Sequence, residues 1–200
     1  MILLLPLLTA LVLCCYVPAG SARCDLPQNF ILLSRKILEL LDQMRRISTF
    51  LCLKDRRDFR FPKEMMTGNQ VQEAQAIWVL HGMLQQILTL FYTEHASAAW
   101  NGALLDQLHS LLYQQLEAMK ICMVQEAGGE ESALATEDLT LNHSWRTLMK
   151  YFQGISLYLE EKKYSDCAWE IVRVEIRRVV SFSLRLQQRL RSKNGDLGSS

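Results

Sequence analysis

The sequence predicts an all-α protein, one domain built as a bundle of five long helices. Apolar residues recur at steps of three and four along five segments, the period of a helix with one buried face. No segment alternates apolar and polar residues in the way that a half-buried strand does. The last of the four prolines is Pro62, so the rest of the 200-residue chain lacks the residue that interrupts helices most strongly.

The first two helices are predicted at residues 30–46, with Asn29 as the N-cap, and at residues 70–91. The first apolar stripe consists of Phe30, Leu33, Ile37, Leu41 and Met44, and the second of Ala74, Ile77, Leu80, Leu84, Ile87 and Phe91. Gly82 lies in the middle of the second helix, where glycine costs about 1 kcal/mol relative to alanine. The sequence alone gives no reason for that glycine.

Three further helices follow, one after Asn101, one starting near Thr136 and one over residues 165–190. The third stripe is Leu105, Leu108, Leu112, Met119 and Cys122, and the fourth is Leu141, Trp145, Leu148, Phe152, Ile155 and Leu159. The fifth is Trp169, Val172, Ile176, Val179, Ser183, Leu186 and Leu190. Glycines and acids at 128–131 separate the third helix from the fourth, and the polar tail at 191–200 is predicted to fray.

Residues 47–68 carry no helical periodicity. So long a connection is unusual within a compact domain. It is expected in helical bundles whose neighbouring helices run parallel and are joined by a long crossover. Cys52 lies within this segment and could tether it to the body of the bundle.

The chain begins with an apolar run at 2–17 followed by small residues at 19–22, the pattern of a secretory signal peptide. A transmembrane anchor is the alternative, but about 16 apolar residues are few for a hydrocarbon core of about 30 Å. We therefore expect residues 1–23 to be a signal peptide, cleaved at 20–23. The mature product, residues 24–200, would be a soluble, secreted single domain without membrane insertion.

Charge and motifs exclude several functions. The chain has 22 basic and 21 acidic residues, and loss of Arg23 with the signal balances them, so we expect no nucleic-acid partner. His81 begins His-Gly-Met-Leu, which lacks the second histidine and the glutamate of a zinc protease helix. Nucleophile elbows and phosphate-binding glycine loops are missing as well. The sequence predicts a protein that is not an enzyme and has no cofactor or metal.

Six cysteines are present, of which Cys14 and Cys15 fall in the signal peptide. The four mature cysteines are Cys24, Cys52, Cys122 and Cys167. An even number in an oxidising compartment predicts two disulfides, and none of the spacings suits zinc. Four cysteines allow three pairings, between which their positions do not decide.

Two basic clusters are candidates for a binding surface. One is Lys54-Asp55-Arg56-Arg57-Asp58, which follows Leu53 in the crossover, and the other is Arg173, Arg177 and Arg178 beside the fifth stripe. Such clusters are either solvated faces or, next to exposed apolar groups, hot spots for a protein partner.

Asn142-His143-Ser144 is an N-glycosylation sequon. Asn142 lies off the fourth stripe, so its side chain can face solvent. We expect a glycan there, although a sequon can also remain unused.

Several motifs together resemble the type I interferons. They are Cys-Asp-Leu-Pro-Gln at 24–28, Met-Arg-Arg-Ile-Ser at 44–48, Cys-Leu-Lys-Asp-Arg-Arg-Asp-Phe-Arg-Phe-Pro at 52–62, Ser-Ala-Ala-Trp at 97–100, Tyr-Gln-Gln-Leu at 113–116 and Tyr-Ser-Asp-Cys-Ala-Trp-Glu at 164–170. The resemblance covers essentially the whole mature chain. It implies an up-up-down-down cytokine bundle with disulfides Cys24–Cys122 and Cys52–Cys167.

The resemblance also implies a function. A type I interferon is a monomer that bridges two receptor chains and activates kinase–STAT signalling, which induces antiviral and antiproliferative genes. The positions that match the family's contacts to the tight-binding second chain are Leu53, Arg56, Arg173, Val174 and Arg178. Those at or near the contacts to the weaker first chain are His81, Leu104, His109 and Tyr113.

Three residues depart from the family pattern. Arg177 replaces an apolar methionine, Gly82 replaces an acid, and Met149 replaces a basic residue. A different class of function, a secreted helical carrier of an apolar ligand or lipid, is the alternative hypothesis. The narrow apolar stripes and two long-range disulfides disfavour it, because both oppose opening of the bundle.

Overall fold

The computed structural model describes residues 29–67, 73–127 and 134–197. Within these ranges the chain forms seven α helices and no strand, which confirms the all-α prediction. They are α1 (Asn29–Gln43), α2 (Glu64–Thr67), α3 (Glu73–Phe91), α4 (Glu94–Ala99), α5 (Gly102–Ala127), α6 (Leu134–Glu161) and α7 (Asp166–Leu197). The expected signal peptide at 1–23, Cys24 and the break at 128–131 lie outside the described residues.

The five long helices close into a ring. Helix α1 packs against α5 and α7, α3 packs against α5 and α6, and α6 contacts α7. Consequently α5 lies between α1 and α3, although α1 and α3 are consecutive long helices in the chain. The segment joining them has to cross the bundle, as the up-up-down-down arrangement requires.

The apolar stripes face the centre of this ring. Every predicted stripe residue of α7 is buried, as is every one assigned to the first helix. The largest fully buried side chains include Trp169, Tyr158, Phe30 and Phe91. Burying a large side chain of this kind contributes roughly 1.5–3 kcal/mol, so the stripes hold the helices together.

Ser183, the one polar member of the fifth stripe, belongs to a buried hydrogen-bonded chain. Ser183 Oγ accepts a bond from Gln187 Nε2 (2.9 Å), and Gln187 Oε1 accepts one from Ser34 Oγ (3.0 Å). Gln115 Nε2 donates to Ser34 Oγ (2.7 Å) and to the Phe30 carbonyl (3.1 Å). The chain links α1, α5 and α7, and because buried polar groups need partners it favours one register of the three helices.

Several helix ends differ from the sequence prediction. Helix α1 ends at Gln43 instead of residue 46, and α7 continues to Leu197 where the sequence predicted fraying from residue 191. Charged residues such as Arg191 have a high helix propensity, so a polar sequence does not by itself end a helix. The short α4 was not predicted, although Thr93 caps it by accepting a bond from the Ala96 amide (3.1 Å).

Trp145 contradicts the predicted fourth stripe, because its side chain is 41% exposed. Its indole lies against Gly82 of α3, and a Cβ added to Gly82 would come within 2.6 Å of Trp145 Cζ3. Packing thus explains the glycine at position 82, because a larger residue there would collide with the edge of the Trp145 indole between α3 and α6.

The crossover is partly helical. It contains a 3₁₀ helix, Thr49–Asp55, and the short α2. Arg60 adopts a left-handed backbone conformation (φ 54°), and its amide donates to Asp58 Oδ1 (2.9 Å). After this turn Phe61 is buried between the rings of Tyr151 and Phe182, so the crossover is packed onto α6 and α7.

Candidate functional site

The disulfide Cys52–Cys167 joins the 3₁₀ helix of the crossover to the first turn of α7. The two Cα atoms are 5.2 Å apart, and Cys52 is completely buried. This confirms one of the two expected bridges. The other expected bridge, Cys24–Cys122, lies outside the described residues, as does the Cys122 side chain.

Helix α6 holds the crossover from a second direction. Tyr158 Oη donates to the Asp55 carbonyl (2.7 Å), and the Phe59 ring meets the Tyr158 ring edge-on at 5.1 Å. Burial and the nearby Asp55 charge raise the pKa of Tyr158 to about 12, so its hydroxyl stays a donor at physiological pH. Arg57 pairs with Glu161 at the surface (2.8 Å). The basic cluster of the crossover is therefore presented on a fixed backbone.

The crossover and α7 enclose a surface cavity of about 550 Å³. It is lined by Thr49, Phe50, Leu53, Arg56, Arg57, Asp58 and Phe59 from the crossover and by Ile171, Val174, Glu175 and Arg178 from α7. We call this site the loop–α7 pocket. Four of the five residues that the sequence assigned to one partner surface line it together: Leu53, Arg56, Val174 and Arg178.

Arg178 is held in the pocket wall by a neighbour on its own helix. Its Nη2 donates to Glu175 Oε1 (3.0 Å), and the same oxygen accepts a bond from Tyr151 Oη of α6 (2.6 Å). Burial, followed by the charge of Glu175, raises the pKa of Tyr151, which keeps that hydroxyl protonated. Tyr151 thereby orients Glu175, and Glu175 orients Arg178.

Arg173 corrects the sequence prediction. It was expected off the apolar stripe and exposed, but it is 4% exposed. Its guanidinium donates twice to Glu170, itself 1% exposed, through Nε (2.8 Å) and Nη2 (2.7 Å). Nη1 donates to the Leu41 carbonyl (2.8 Å), one of the last four of α1, which have no partner within their helix. Arg173 therefore caps α1 and supports the core.

Arg177, the first departure from the family pattern, forms an exposed ion pair. Its Nε and Nη2 reach the two carboxylate oxygens of Asp42 at 2.6 and 3.0 Å. These hydrogen bonds raise the pKa of Arg177, outweighing its partial burial. The pair adds a second link between α7 and the end of α1.

The four residues that the family resemblance assigns to the first receptor chain lie on α3 and α5. They are His81, Leu104, His109 and Tyr113. Tyr113 is 48% exposed, whereas Leu104 is half-buried against the core. His109 lies 3.1 Å from the Phe91 carbonyl through Nε2, so its ring also fastens α5 to the end of α3. Burial lowers the pKa of His81, and Lys120 lowers it further. None of the four lines the loop–α7 pocket.

His81 instead lines a groove between α3 and α6. The groove measures about 320 Å³ and also exposes Trp78 and Trp145, with Asn142 at its edge. Gly82, the second departure, lies under the Trp145 indole. Met149, the third, is partly buried and packs against the core, which accounts for an apolar residue there.

Some relevant residues were missed from the sequence. Phe50 is 80% exposed at the rim of the loop–α7 pocket, and Glu175 and Tyr151 fix Arg178. Phe50 carried a signal, an aromatic residue in a segment without periodicity next to Cys52. The Tyr151–Glu175 bond joins residues on two helices and had no sequence signal.

The described residues contain no cluster of histidine, cysteine and acidic side chains that could hold a metal ion. None of the described helices combines the length and the apolar character needed to span a membrane.

Comparisons with known proteins identify the family. Residues 26–190 match the family model described as interferon alpha/beta domain. The chain is 60% identical to human interferon omega-1 and 54% identical to interferon tau of Cervus elaphus, in both cases over all of this chain and all of the relative. Its fold matches zebrafish interferon 2 with a TM-score of 0.64 and 25% identity, over 80% of this chain and 99% of that structure. The chain therefore belongs to the type I interferons, a family of cytokines rather than enzymes.

Proposed function

We propose that the chain is a secreted, monomeric ligand that bridges both chains of the cell-surface interferon alpha/beta receptor. Bridging brings the receptor-associated kinases together, which starts STAT signalling and induces antiviral and antiproliferative genes. Residues 1–23 would serve as the signal peptide, and residues 24–200 would form the secreted domain. The observation that supports this proposal most is the convergence of Leu53, Arg56, Val174 and Arg178 on one pocket.

The loop–α7 pocket has the chemistry of a high-affinity protein interface, and we assign it to the second receptor chain. Exposed apolar side chains, Phe50 at 80%, Leu53 at 59% and Val174 at 39%, stand beside two arginines. Arginine and aromatic residues are enriched among interface hot spots, and an arginine can bond a carboxylate in bidentate fashion. The second chain would therefore present apolar side chains flanked by carboxylates or carbonyls.

Arg173 has a different role in this proposal. The Arg173 guanidinium donates its hydrogen bonds to Glu170 and to the Leu41 carbonyl. Arg173 would therefore position α7 against α1 instead of contacting the receptor. Val174 and Arg178 lie one and five residues further along the same helix, so their placement depends on that contact.

The weaker first chain would meet the face formed by the second, third and fourth long helices, which are α3, α5 and α6. Tyr113 is the most exposed of the four residues considered there and offers the largest contact. His109 would act mainly through the helix contact that it makes with Phe91. Leu104 and His81 would add smaller contacts at the edges of this face.

The experiment is surface plasmon resonance against the second-chain ectodomain from the same species. Arg56→Ala should weaken binding more than tenfold, about 1.4 kcal/mol. Arg56→Lys should restore part of the affinity, since an ammonium lacks the planar fork. Arg146→Ala, an exposed arginine on α6 outside the pocket, is the matched control and should bind like wild type. Wild-type affinity of Arg56→Ala, with an unchanged melting temperature, would refute the assignment.

A further inference from the structure

The groove between α3 and α6 exposes apolar side chains at the surface of the bundle. Trp78 and Trp145 are 40% and 41% exposed and face the same groove. Gly82 supports the arrangement, because a Cβ at that position would meet Trp145 Cζ3 at 2.6 Å. Contiguous exposed apolar patches on a protein surface commonly mark a place that another group covers.

The sequon lies at the edge of this groove. Asn142 is exposed and is itself part of the lining, three residues before Trp145 on α6. Residues three apart on a helix are neighbours on one face. A group attached to Asn142 Nδ2 therefore starts next to the Trp145 indole.

We propose that Asn142 carries an N-linked oligosaccharide whose first N-acetylglucosamine packs on Trp145 and covers that side of the groove. A pyranose ring presents C–H groups on one face, which suit the electron-rich face of an indole, while its hydroxyls remain in water. The covered area is the part of the groove beside Trp145, so Trp78 and His81 stay accessible. This inference rests on the secretion proposed above, since N-glycans are added in the secretory pathway.

The attachment follows ordinary N-glycosylation chemistry. A lipid-linked pyrophosphate oligosaccharide is the donor: the bond from sugar C1 to Asn142 Nδ2 forms and the bond from C1 to the pyrophosphate oxygen breaks. An amide proton is released, and the lipid pyrophosphate is the leaving group. Ser144, the sequon hydroxyl, is 7% exposed and accepts a bond from Gln75 Nε2 of α3 (3.2 Å). Transfer therefore precedes the docking of α6 on α3.

Acrylamide quenching of tryptophan fluorescence measures how accessible the two indoles of this groove are to solvent. Of the four tryptophans, Trp100 and Trp169 are 6% and 1% exposed, so the quencher reaches mainly Trp78 and Trp145. The protein is secreted from mammalian cells and measured intact, trimmed to a single N-acetylglucosamine, and stripped of sugar. We expect the quenching constant of the first two forms to be about twofold lower than that of the third, since one of two accessible indoles is shielded.

A relocated glycan is the matched control. Asn142→Gln combined with Ala103→Ser moves the sequon to Asn101, an exposed residue before α5 that does not line the groove. Asn101 caps α5 through Oδ1 (3.0 Å to the Ala103 amide), which leaves Nδ2 available for the sugar. This glycoprotein should be quenched like the sugar-free form.

Three results would overturn the inference. They are a secreted wild-type protein with the mass of the bare polypeptide, equal quenching with and without the sugar, and equal protection by a glycan on Asn101. A failure of secretion would instead contradict the proposed function and would show as absence of the protein from the medium.

Discussion

Replacing Arg173 with alanine should destabilise the protein strongly. Arg173 and Glu170 form a buried ion pair with side-chain exposures of 5% and 2%. Removing one partner of such a pair leaves a buried charge without compensation and typically costs about 3–5 kcal/mol. The Leu41 carbonyl would lose its donor at the negative end of the α1 dipole, which adds to the loss. In a domain of this size the change corresponds to a fall in melting temperature of roughly 6–20 °C.

The assay is urea unfolding at pH 7, followed by circular dichroism with the disulfides intact. Arg177→Ala is the matched control: it lies on the same helix and breaks a pair with Asp42 whose side chains are 44% and 54% exposed. An exposed pair of this kind contributes about 1 kcal/mol or less. Arg173→Met combined with Glu170→Leu should recover much of the loss, because it removes both buried charges.

An Arg173→Ala protein as stable as Arg177→Ala would show that the buried pair does not stabilise the fold. A double variant less stable than Arg173→Ala alone would show that the cost does not come from the unpaired Glu170.

Three other substitutions test the contacts of Tyr151, Gly82 and His81. Tyr151→Phe should cost about 1–3 kcal/mol in urea unfolding, because Glu175 loses a buried hydrogen bond; an unchanged stability would contradict that bond. Gly82→Ala should keep its helix but displace the Trp145 indole, raising acrylamide quenching of the sugar-free protein, and unchanged quenching would count against the close contact. Because burial lowers the pKa of His81 in the folded state below 6.5, the unfolded state binds its proton first as the pH falls. Stability should thus decrease as the pH drops below about 6.5, and His81→Gln should flatten that slope, which pH-dependent melting temperatures would detect.

Much of the helical bundle could be predicted, because the apolar residues that recur with the helical period are the ones that are buried. The α7 stripe from Trp169 to Leu190 is buried at every predicted position. The long crossover and its Cys52 anchor also followed from the sequence, the first from missing periodicity and the second from the family resemblance. Helix ends were less predictable, since polar residues such as Arg191 continue a helix as readily as they end one.

The burial of Arg173 could have been suspected. Arg173 is four residues after Trp169 and three before Ile176, which puts it on the buried face of α7, and Glu170 is three residues earlier. What the sequence could not supply was the Leu41 carbonyl at the end of α1, because that contact depends on how two helices 132 residues apart pack.

The exposure of Trp145 depends on tertiary register in the same way. Its position on the fourth stripe favoured burial, and only the packing of α6 on α3 puts its indole against Gly82. Gly82 lowers the helix propensity of α3, but it leaves the space that the Trp145 indole occupies at the surface. The glycine and the exposed tryptophan therefore have one structural cause, the packing of α6 on α3.

Reporter cells show whether the chain acts by bridging two receptor chains. An interferon-responsive reporter is measured in cells that have both receptor chains and in matched cells that lack one or the other. We expect activation by the secreted protein only where both chains are present, and we expect Arg56→Ala to need a higher concentration than wild type. A full response in cells lacking the second chain would contradict this expectation.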